Sequence, residues 1–301
     1  MNLEVKIGKF QLKYPIVTAS GTFGFGEELS SLVDFTSLGA LVTKTITLKS
    51  RRGNPPPRIR EVECGVVNSI GLENPGVEGF LESKLPKIEK LGIPFIVSVG
   101  GYSPGEYIEV VRVLDKVEGI KAIEVNLSCP NLRQKRMFAQ SARLTFKITD
   151  SLRRITKKTL IVKLTGEVDD IRRIAKSAEY GGADALSLVN TFFAMSVDID
   201  TRRPSLGSVY GGYSGKGIKP LSLYRVWKCA KVVKIPIIGG GGIDNYRDAI
   251  EFFLVGAKVI SLGTINLVNP NAAKSILNGI IKYMQKNKIK DINELVGGLV
   301  A

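Results

Sequence analysis

The sequence predicts a (β/α)8 TIM barrel, an α/β fold in which eight parallel strands alternate with helices. Short apolar runs alternate with amphipathic segments eight times along the chain, an order typical of parallel strands joined by helices. Most of these runs end in a polar residue or a glycine, and a barrel carries its chemistry at the carboxyl ends of its strands. The length of 301 residues suits one such barrel. We therefore expect one domain over residues 1–301, with an N-terminal hairpin and loop insertions on its C-terminal face.

The composition is that of a soluble globular protein, with 44% hydrophobic and 24% charged residues. The formal charge is +15, from 43 Lys and Arg against 28 Asp and Glu. These basic residues are spread along the chain without the interleaved aromatic residues of a base-stacking surface, so we expect no nucleic-acid partner. The chain contains no 18-residue apolar run and no secretory signal. We therefore expect a cytoplasmic protein without a membrane anchor.

Cysteine and histidine usage excludes several chemistries. Cys64, Cys129 and Cys229 are far apart in the sequence, with no Cys-x-x-Cys pair. We therefore expect no metal and no iron–sulfur cluster bound by this chain. Histidine is absent, which rules out Ser-His-Asp hydrolysis.

The strands are recognised by short runs of buried-type residues. Residues 3–7 and 9–13 alternate around Gly8 and predict a hairpin that closes the bottom of the barrel. The fourth barrel strand contains Ala122, Ile123 and Val125 and is ended by Pro130, which supplies no ladder N–H. The other predicted barrel strands are 16–18, 41–43, 94–97, 160–163, 185–189, 236–238 and 258–261.

Helical spacing and capping residues predict the intervening helices. Ser103 is a typical N-cap with Pro104 in the first helical position, and Asp244 is the expected cap of the helix after strand seven. The predicted helices are 79–91, 104–115, one ending near 155, 169–180, 220–232, the one after Asp244, and 271–285. Residues 50–60, 66–76 and 192–214 are expected to be loops, and 132–140 a basic lid over the site.

Polar groups follow most of the predicted strands and point to one ligand site. Lys44 and Lys163 supply cations, and the glycine run 239–242 with Gly263-Thr264 falls after strands seven and eight, where such barrels commonly bind phosphate. Cys129 follows strand four and is a candidate proton-transfer residue. The pattern fits a phosphorylated cofactor with a planar polar ring beside a planar anion, and flavin mononucleotide (FMN) is the economical candidate. The remaining polar groups of this rim are Ser20, Asn126 and Asn190.

Together these segments make the sequence resemble the dihydroorotate dehydrogenase family over nearly the whole chain. The runs Phe23-Gly24-Phe25-Gly26-Glu27 and Glu73-Asn74-Pro75-Gly76 look most like the NAD-linked class 1B type. The other matching segments are 19–22, Lys44-Thr45, 68–76, 126–131, 162–165, 215–220, 239–243 and Gly263-Thr264.

The resemblance implies oxidation of dihydroorotate to orotate in the pathway to UMP, with Cys129 taking a proton from C5 while a hydride passes from C6 to N5 of FMN. It also implies a homodimeric core, a separate electron-transfer subunit carrying FAD and an iron–sulfur cluster, and NAD as the electron acceptor. The residues implied to hold FMN are Ser20, Lys44, Thr45, Asn126, Lys163, Val189, Gly215, Gly241, Gly242, Gly263 and Thr264. Those implied to hold the substrate are Lys44, Asn68, Ser69, Ile70, Gly71, Leu72, Asn126, Asn190 and Thr191.

The sequence departs from the family pattern in two places and leaves three alternatives open. Strand three ends in Val97-Ser98-Val99-Gly100, where many relatives place an asparagine on the flavin, so this contact is left unassigned. The 132–140 segment is more basic than usual. One alternative is an FMN oxidoreductase like dihydropyrimidine dehydrogenase, which shares the Asn-x-Ser-Cys-Pro segment. The second is a fumarate-linked dihydroorotate dehydrogenase, and the third, suggested by the charge, is an RNA-binding barrel.

Overall fold

The N-terminal hairpin lies at the amino-terminal end of a barrel, as predicted. The computed structural model describes residues 1–128 and 137–300. Strands Val5–Ile7 and Phe10–Leu12 pair antiparallel around Gly8, which has a φ of 55°. Lys9 donates its backbone N–H to Thr159 Oγ1 at 3.3 Å. Thr159 is the first residue of a barrel strand, so the hairpin closes the bottom of the barrel.

Eight parallel strands form the barrel, which confirms the predicted fold. The strands are β1 (Ile16–Thr18), β2 (Leu41–Val42), β3 (Phe95–Val99), β4 (Ala122–Asn126), β5 (Thr159–Lys163), β6 (Ala185–Leu188), β7 (Ile237–Gly240) and β8 (Val259–Leu262). Their order around the barrel is β1-β8-β7-β6-β5-β4-β3-β2, and a parallel bridge between Val17 and Ala40 joins the two ends.

Helices connect the strands, and several boundaries differ from the prediction by one to three residues. The helix predicted to begin at residue 79 begins at Gly76. Asn245, not Asp244, caps the helix after β7, because the Asn245 side chain accepts hydrogen bonds from two backbone N–H groups of that helix. Asp244 instead forms an ion pair with Lys216 at 2.8 Å. The helical segments are Glu27–Leu29, Phe35–Ser37, Gly76–Gly79, Phe80–Lys84, Leu85–Glu89, Pro104–Asp115, Phe138–Gln140, Ala142–Ile155, Ile171–Tyr180, Lys216–Ile218, Lys219–Ala230, Tyr246–Leu254, Ile265–Val268, Ala272–Lys286 and Ile292–Leu295.

A second, antiparallel sheet stands on the C-terminal side of the barrel and corrects three loop predictions. Strand Ile59–Val62 extends out of the 50–60 segment and pairs with Gly65–Asn68 from the 66–76 segment. Gly65–Asn68 pairs in turn with Gly211–Ser214, and that strand with Phe192–Ala194, both from the 192–214 segment. These strands are only three or four residues long and lack a clear apolar alternation, so their pairing partners decide their structure. A short ribbon, Val197–Asp198 with Arg203–Pro204, completes the 192–214 segment.

The barrel interior is apolar except toward its C-terminal end. Every residue of β3, β4 and β5 is buried, as expected for strands covered on both faces. Five polar side chains, those of Ser98, Glu124, Asn126, Thr159 and Lys163, are nevertheless buried among them. Such groups are retained where hydrogen bonds satisfy them. Within the described ranges, none of the helices has the length and apolar character that a membrane crossing requires.

Candidate active site

A cavity opens at the carboxyl ends of the barrel strands, between the barrel and the antiparallel sheet. Its empty volume is about 1370 Å³, part of it open to solvent. All residues predicted to hold FMN line it, namely Ser20, Lys44, Thr45, Asn126, Lys163, Val189, Gly215, Gly241, Gly242, Gly263 and Thr264. The residues predicted to hold the substrate that line it are Lys44, Asn68, Ile70, Gly71, Leu72, Asn126, Asn190 and Thr191.

Ser69 is the predicted substrate residue that this cavity does not reach. It is 1% exposed, and its hydroxyl oxygen accepts a hydrogen bond from Asn54 Nδ2 at 2.6 Å. Its backbone N–H donates to the carbonyl of Arg58 at 2.7 Å. These bonds turn Ser69 toward the 50–60 segment, while its neighbours Asn68 and Ile70 face the cavity.

Lys163 ends β5 inside the barrel mouth, where its side chain is 7% exposed. Its ammonium group donates to Ser20 Oγ at 3.3 Å. Ser20 follows β1, which lies on the far side of the barrel in the strand order. The Lys163 charge is therefore held over the barrel axis, at the floor of the cavity.

Lys44 brings a second cation into the cavity from the segment after β2. Its backbone N–H donates to the carbonyl of Gly24 at 2.8 Å, which ties this segment to the glycine-rich loop after β1. Burial lowers the pKa of the Lys44 ammonium, because desolvation penalises the charged form. A nearby anion in the cavity would reverse this effect, so the site favours a ligand with negative charge.

The amide of Asn126 is held between two hydroxyl-bearing residues. Its Nδ2 donates to Thr45 Oγ1 at 3.3 Å, and its Oδ1 accepts from the backbone N–H and the hydroxyl of Ser128 at 3.3 and 3.1 Å. The Tyr107 hydroxyl donates to the Asn126 carbonyl at 2.8 Å and fixes the end of β4. Asn126 is consequently a rigid polar group in the cavity wall.

Glycines form a backbone cradle after β7 and β8. Gly241 and Gly242 have φ values of 112° and 87°, and a Cβ on Gly242 would lie 2.7 Å from the backbone nitrogen of Lys219. A Cβ on Gly263 would meet no protein atom closer than 3.9 Å, so the space above it is open. Thr264 lies beside it and donates to Ser214 Oγ at 2.8 Å. Backbone close to open space, free of side chains, is what a bound phosphate requires.

Sequence reasoning missed several cavity residues. Ser187, Ser214 and Ser261 add hydroxyl groups to the lining, and Ile59 and Leu267 add apolar edges at its mouth. Ser187 and Ser261 lie within strands read as apolar runs, where a single serine gives no signal. Ser214 and Ile59 reach the cavity through the antiparallel sheet, which the sequence did not reveal.

The predicted catalytic residue lies outside the described part of the chain. Cys129, with Pro130, Asn131 and most of the 132–140 segment, falls in the interval between residues 128 and 137. The last described residue before it, Ser128, is buried and contacts Asn190, whose Nδ2 donates to the Ser128 carbonyl at 2.8 Å. Asn190 lines the cavity, so the chain is described up to a residue that contacts the cavity wall. Among the described residues, no three His, Cys, Asp or Glu side chains are grouped so as to hold a metal ion.

Comparisons with known proteins agree with one another. The sequence model of the dihydroorotate dehydrogenase family matches residues 2–284. The chain is 47% identical over 300 residues to dihydroorotate dehydrogenase B (NAD(+)), catalytic subunit, of Thermoanaerobacter sp. (strain X514), and 48% identical over 300 residues to the protein of that name from Caldicellulosiruptor bescii. Both alignments cover 99% of each chain. The crystal structure of DHODH from Eimeria tenella in complex with ferulenol has the same fold, with a TM-score of 0.82 at 21% identity, over 99% of this chain and 88% of that chain.

Proposed function

This chain belongs to the dihydroorotate dehydrogenase family, and on that premise we propose that it is the catalytic subunit of an NAD-linked dihydroorotate dehydrogenase. It is an oxidoreductase that converts dihydroorotate to orotate in pyrimidine biosynthesis. We further propose that the whole chain, residues 1–301, works as one FMN-binding barrel domain.

The observation that carries the proposal is the convergence of two lysines, a fixed amide and a glycine cradle on one cavity. Lys44, Asn126 and Lys163 come from different strand ends, and the cradle at Gly241–Gly242 and Gly263 comes from two more. Such a cavity suits FMN, whose phosphate would lie against the glycines while its ring system would lie near the lysines. When bound, FMN supplies the two-electron acceptor that this oxidation needs.

The cavity residues also suit a planar substrate that carries a carboxylate. The Lys44 ammonium would bind that carboxylate, since its buried charge has no acceptor within hydrogen-bonding distance among the residues the structure describes. The side chains of Asn68, Asn190 and Thr191 would hydrogen-bond the polar ring edges. Cys129, proposed from the sequence, would take the proton from C5. Dihydroorotate carries a carboxylate and dihydrouracil does not, so a cation that binds this group distinguishes the two molecules.

We also propose that the electrons pass to a separate subunit carrying FAD and an iron–sulfur cluster, and from there to NAD. The relatives are named catalytic subunits, which implies a further subunit in their enzymes. Two cavity residues, Ile59 and Leu267, are exposed by 51% and 52%, and neighbouring Val268 by 77%. An exposed apolar edge beside a redox site is a suitable docking place for an electron-transfer partner.

A homodimeric core is the second part of the assembly that we propose. The outer surface of the 192–210 segment exposes several large apolar side chains on one stretch of chain, and the rings of Phe193 and Tyr210 contact each other edge to face at 5.5 Å between centroids. Such a patch on a soluble protein is typical of an interface. Its exposed members are Phe193, Met195, Val197, Ile199, Val209 and Tyr210.

The test is the flavin of the purified chain. We expect a yellow protein that releases FMN on denaturation and whose flavin absorbance bleaches when dihydroorotate is added without oxygen. Dihydrouracil at the same concentration is the matched control and is expected to bleach it far more slowly. A colourless chain that does not take up FMN, or a flavin reduced equally well by dihydrouracil, would contradict the proposal.

A further inference from the structure

Glu124 is a buried carboxyl group inside the barrel that the proposed reaction does not use. It lies on β4, two residues before Asn126, and is 3% exposed. Because side chains two residues apart in a strand point to the same face, Glu124 lies one layer below Asn126, on the same side of β4. Ser98 of β3 donates its hydroxyl to Glu124 Oε1 at 3.1 Å.

This bond fixes the direction of the hydrogen bonds above it. A carboxylate can only accept, so the Ser98 proton points to Glu124. Ser98 Oγ lies 2.9 Å from Thr45 Oγ1, and since the Ser98 proton is already committed, Thr45 must be the donor of this pair. The Thr45 oxygen is then left to accept from Asn126 Nδ2, at 3.3 Å.

On the other side of Asn126, the hydrogen bonds run in the same direction. The backbone N–H of Ser128, which can only donate, points to Asn126 Oδ1 and so assigns the oxygen and nitrogen of that amide. The Ser128 hydroxyl donates to the same oxygen, and its own oxygen accepts from Asn190 Nδ2 at 3.0 Å. Each donor from Asn190 to Glu124 therefore points toward the carboxylate.

We propose that Glu124 is a positioning residue, the terminal acceptor that orients this chain of hydrogen bonds and, through it, the Asn126 amide. One Nδ2 proton of Asn126 is used by Thr45, and among the described residues no hydrogen bond takes the other, while Asn126 itself lines the cavity. Glu124 thus presents a fixed N–H donor to FMN and to the substrate. The inference rests on the proposed function and deepens it, because it assigns a role to Glu124 and to Ser98 in positioning a group of that site.

Three variants test the role: Glu124→Gln, Glu124→Ala and Ser98→Ala. The measurements are the Kd of FMN by ultrafiltration and the Kd of orotate by flavin absorbance titration. We expect Glu124→Ala and Ser98→Ala each to weaken orotate binding about tenfold, the value of one net hydrogen bond, and FMN binding in the same direction. Glu124→Gln keeps an acceptor of the same shape, so we expect it to restore both Kd values to within about threefold of wild type.

The double variant distinguishes orientation from general damage. Because Glu124 and Ser98 act through one chain, combining Glu124→Ala with Ser98→Ala is expected to weaken orotate binding no further than Ser98→Ala does. Thr149→Ala removes a buried hydroxyl in the helix Ala142–Ile155 and serves as the control, with both Kd values unchanged.

Three results would overturn the assignment. They are wild-type Kd values in Glu124→Ala, binding by Glu124→Gln that is as weak as binding by Glu124→Ala, and a double variant in which the two single losses of orotate affinity multiply. If Glu124→Ala does not fold, Ser98→Ala decides alone. Wild-type Kd values in Ser98→Ala would equally refute the proposed chain of hydrogen bonds. Reduction of the wild-type flavin by dihydroorotate tests the proposed function separately. If that reaction fails, the FMN Kd values of the same variants still decide the role of Glu124.

Discussion

Lys163 and Ser20 meet across the mouth of the barrel, where the ammonium group of the first donates to the hydroxyl of the second at 3.3 Å. They are 143 residues apart in sequence, and they come from β5 and from the loop after β1. Their contact sets a buried positive charge at the floor of the cavity, and Lys44 adds a second cation at its wall.

Replacing Lys44 by alanine is expected to weaken orotate binding by roughly 10- to 100-fold, the value of a charge-assisted hydrogen bond. FMN binding should fall much less, because the glycine cradle and Lys163 remain. Flavin absorbance titration with orotate, set against the FMN Kd, measures both effects. Equal losses for the two ligands would refute the substrate role of Lys44.

Orotate affinity should also depend on pH through Lys44. Burial lowers the pKa of this ammonium from its ordinary 10.5, and the orotate anion prefers the protonated form. Orotate affinity is therefore expected to be highest below the Lys44 pKa and to fall as the pH rises through it. This fall should occur at a lower pH than it would with an exposed lysine. The Lys44→Ala variant is the control and should lack this fall.

Replacing Cys129 by alanine is expected to leave FMN bound and to lower dihydroorotate oxidation by about 10²- to 10⁴-fold, the usual contribution of a general base. Anaerobic flavin reduction followed by stopped flow measures it. Cys64→Ser, at an exposed turn, is the matched control and should react normally. Near-normal turnover of Cys129→Ala would refute the assignment of the base.

Cys229 is buried, and burial raises its pKa to about 12, so it should stay unalkylated by iodoacetamide in the folded protein at pH 8 or below.

Replacing Gly242 by alanine should lower both FMN affinity and stability. Its φ is 87°, and a Cβ there would lie 2.7 Å from the nitrogen of Lys219. Gly92 has a φ of 67°, and a Cβ there would meet no atom within 4 Å, so Gly92→Ala isolates the backbone cost, about 1–2 kcal/mol. We expect Gly242→Ala to exceed that cost in urea unfolding and Gly92→Ala to leave FMN binding unchanged. Equal effects of the two variants would argue against the cradle.

Replacing Glu167 by glutamine should stabilise the protein at neutral pH. Its Oε2 is buried without a partner among the described residues, while Oε1 accepts from the Phe193 backbone N–H at 2.6 Å. Burial raises the pKa of this carboxyl above its ordinary 4.5, so the folded state binds its proton more tightly than the unfolded state. Its effect on stability is therefore absent below about pH 4.5, grows as a loss between the two pKa values, and is complete above the raised one.

The Glu167→Gln variant should accordingly show a higher Tm than wild type at pH 7 and a smaller difference at pH 4.5. Differential scanning calorimetry across this range measures it. Glu78→Gln changes an exposed glutamate in the first turn of a helix and should show no comparable gain. An unchanged Tm in Glu167→Gln at pH 7 would contradict the account.

NAD reduction should require the partner subunit and the apolar edge beside the cavity. We expect the isolated chain to reduce a dye with dihydroorotate but to reduce NAD poorly. In the native complex, Val268→Glu should lower NAD reduction while dye reduction stays unchanged. Leu32→Glu, at a residue 65% exposed elsewhere on the surface, is the control. Efficient NAD reduction by the chain alone would overturn the subunit assignment.

The sequence by itself determined the barrel and many of the residues that line its cavity. Each of the eight apolar runs had to be buried as a strand of the barrel. Because the strands are parallel, the polar residues directly after them had to meet at one end of it. Lys44, Asn126, Lys163 and the glycines after β7 and β8 could therefore be placed in one site from chain order alone. The family resemblance added chemical roles to these positions, including that of Cys129.

Only the tertiary structure decided what depends on pairing between distant segments. The 59–68 and 192–214 segments have short strands that gain their structure from each other, so the sequence did not reveal their sheet or the edge formed by Ile59. Whether Ser69 faces the cavity depends on a bond to Asn54. The direction of the chain from Asn190 to Glu124 depends on which hydroxyls come within 3 Å or so of one another, and a linear pattern carries no such distances.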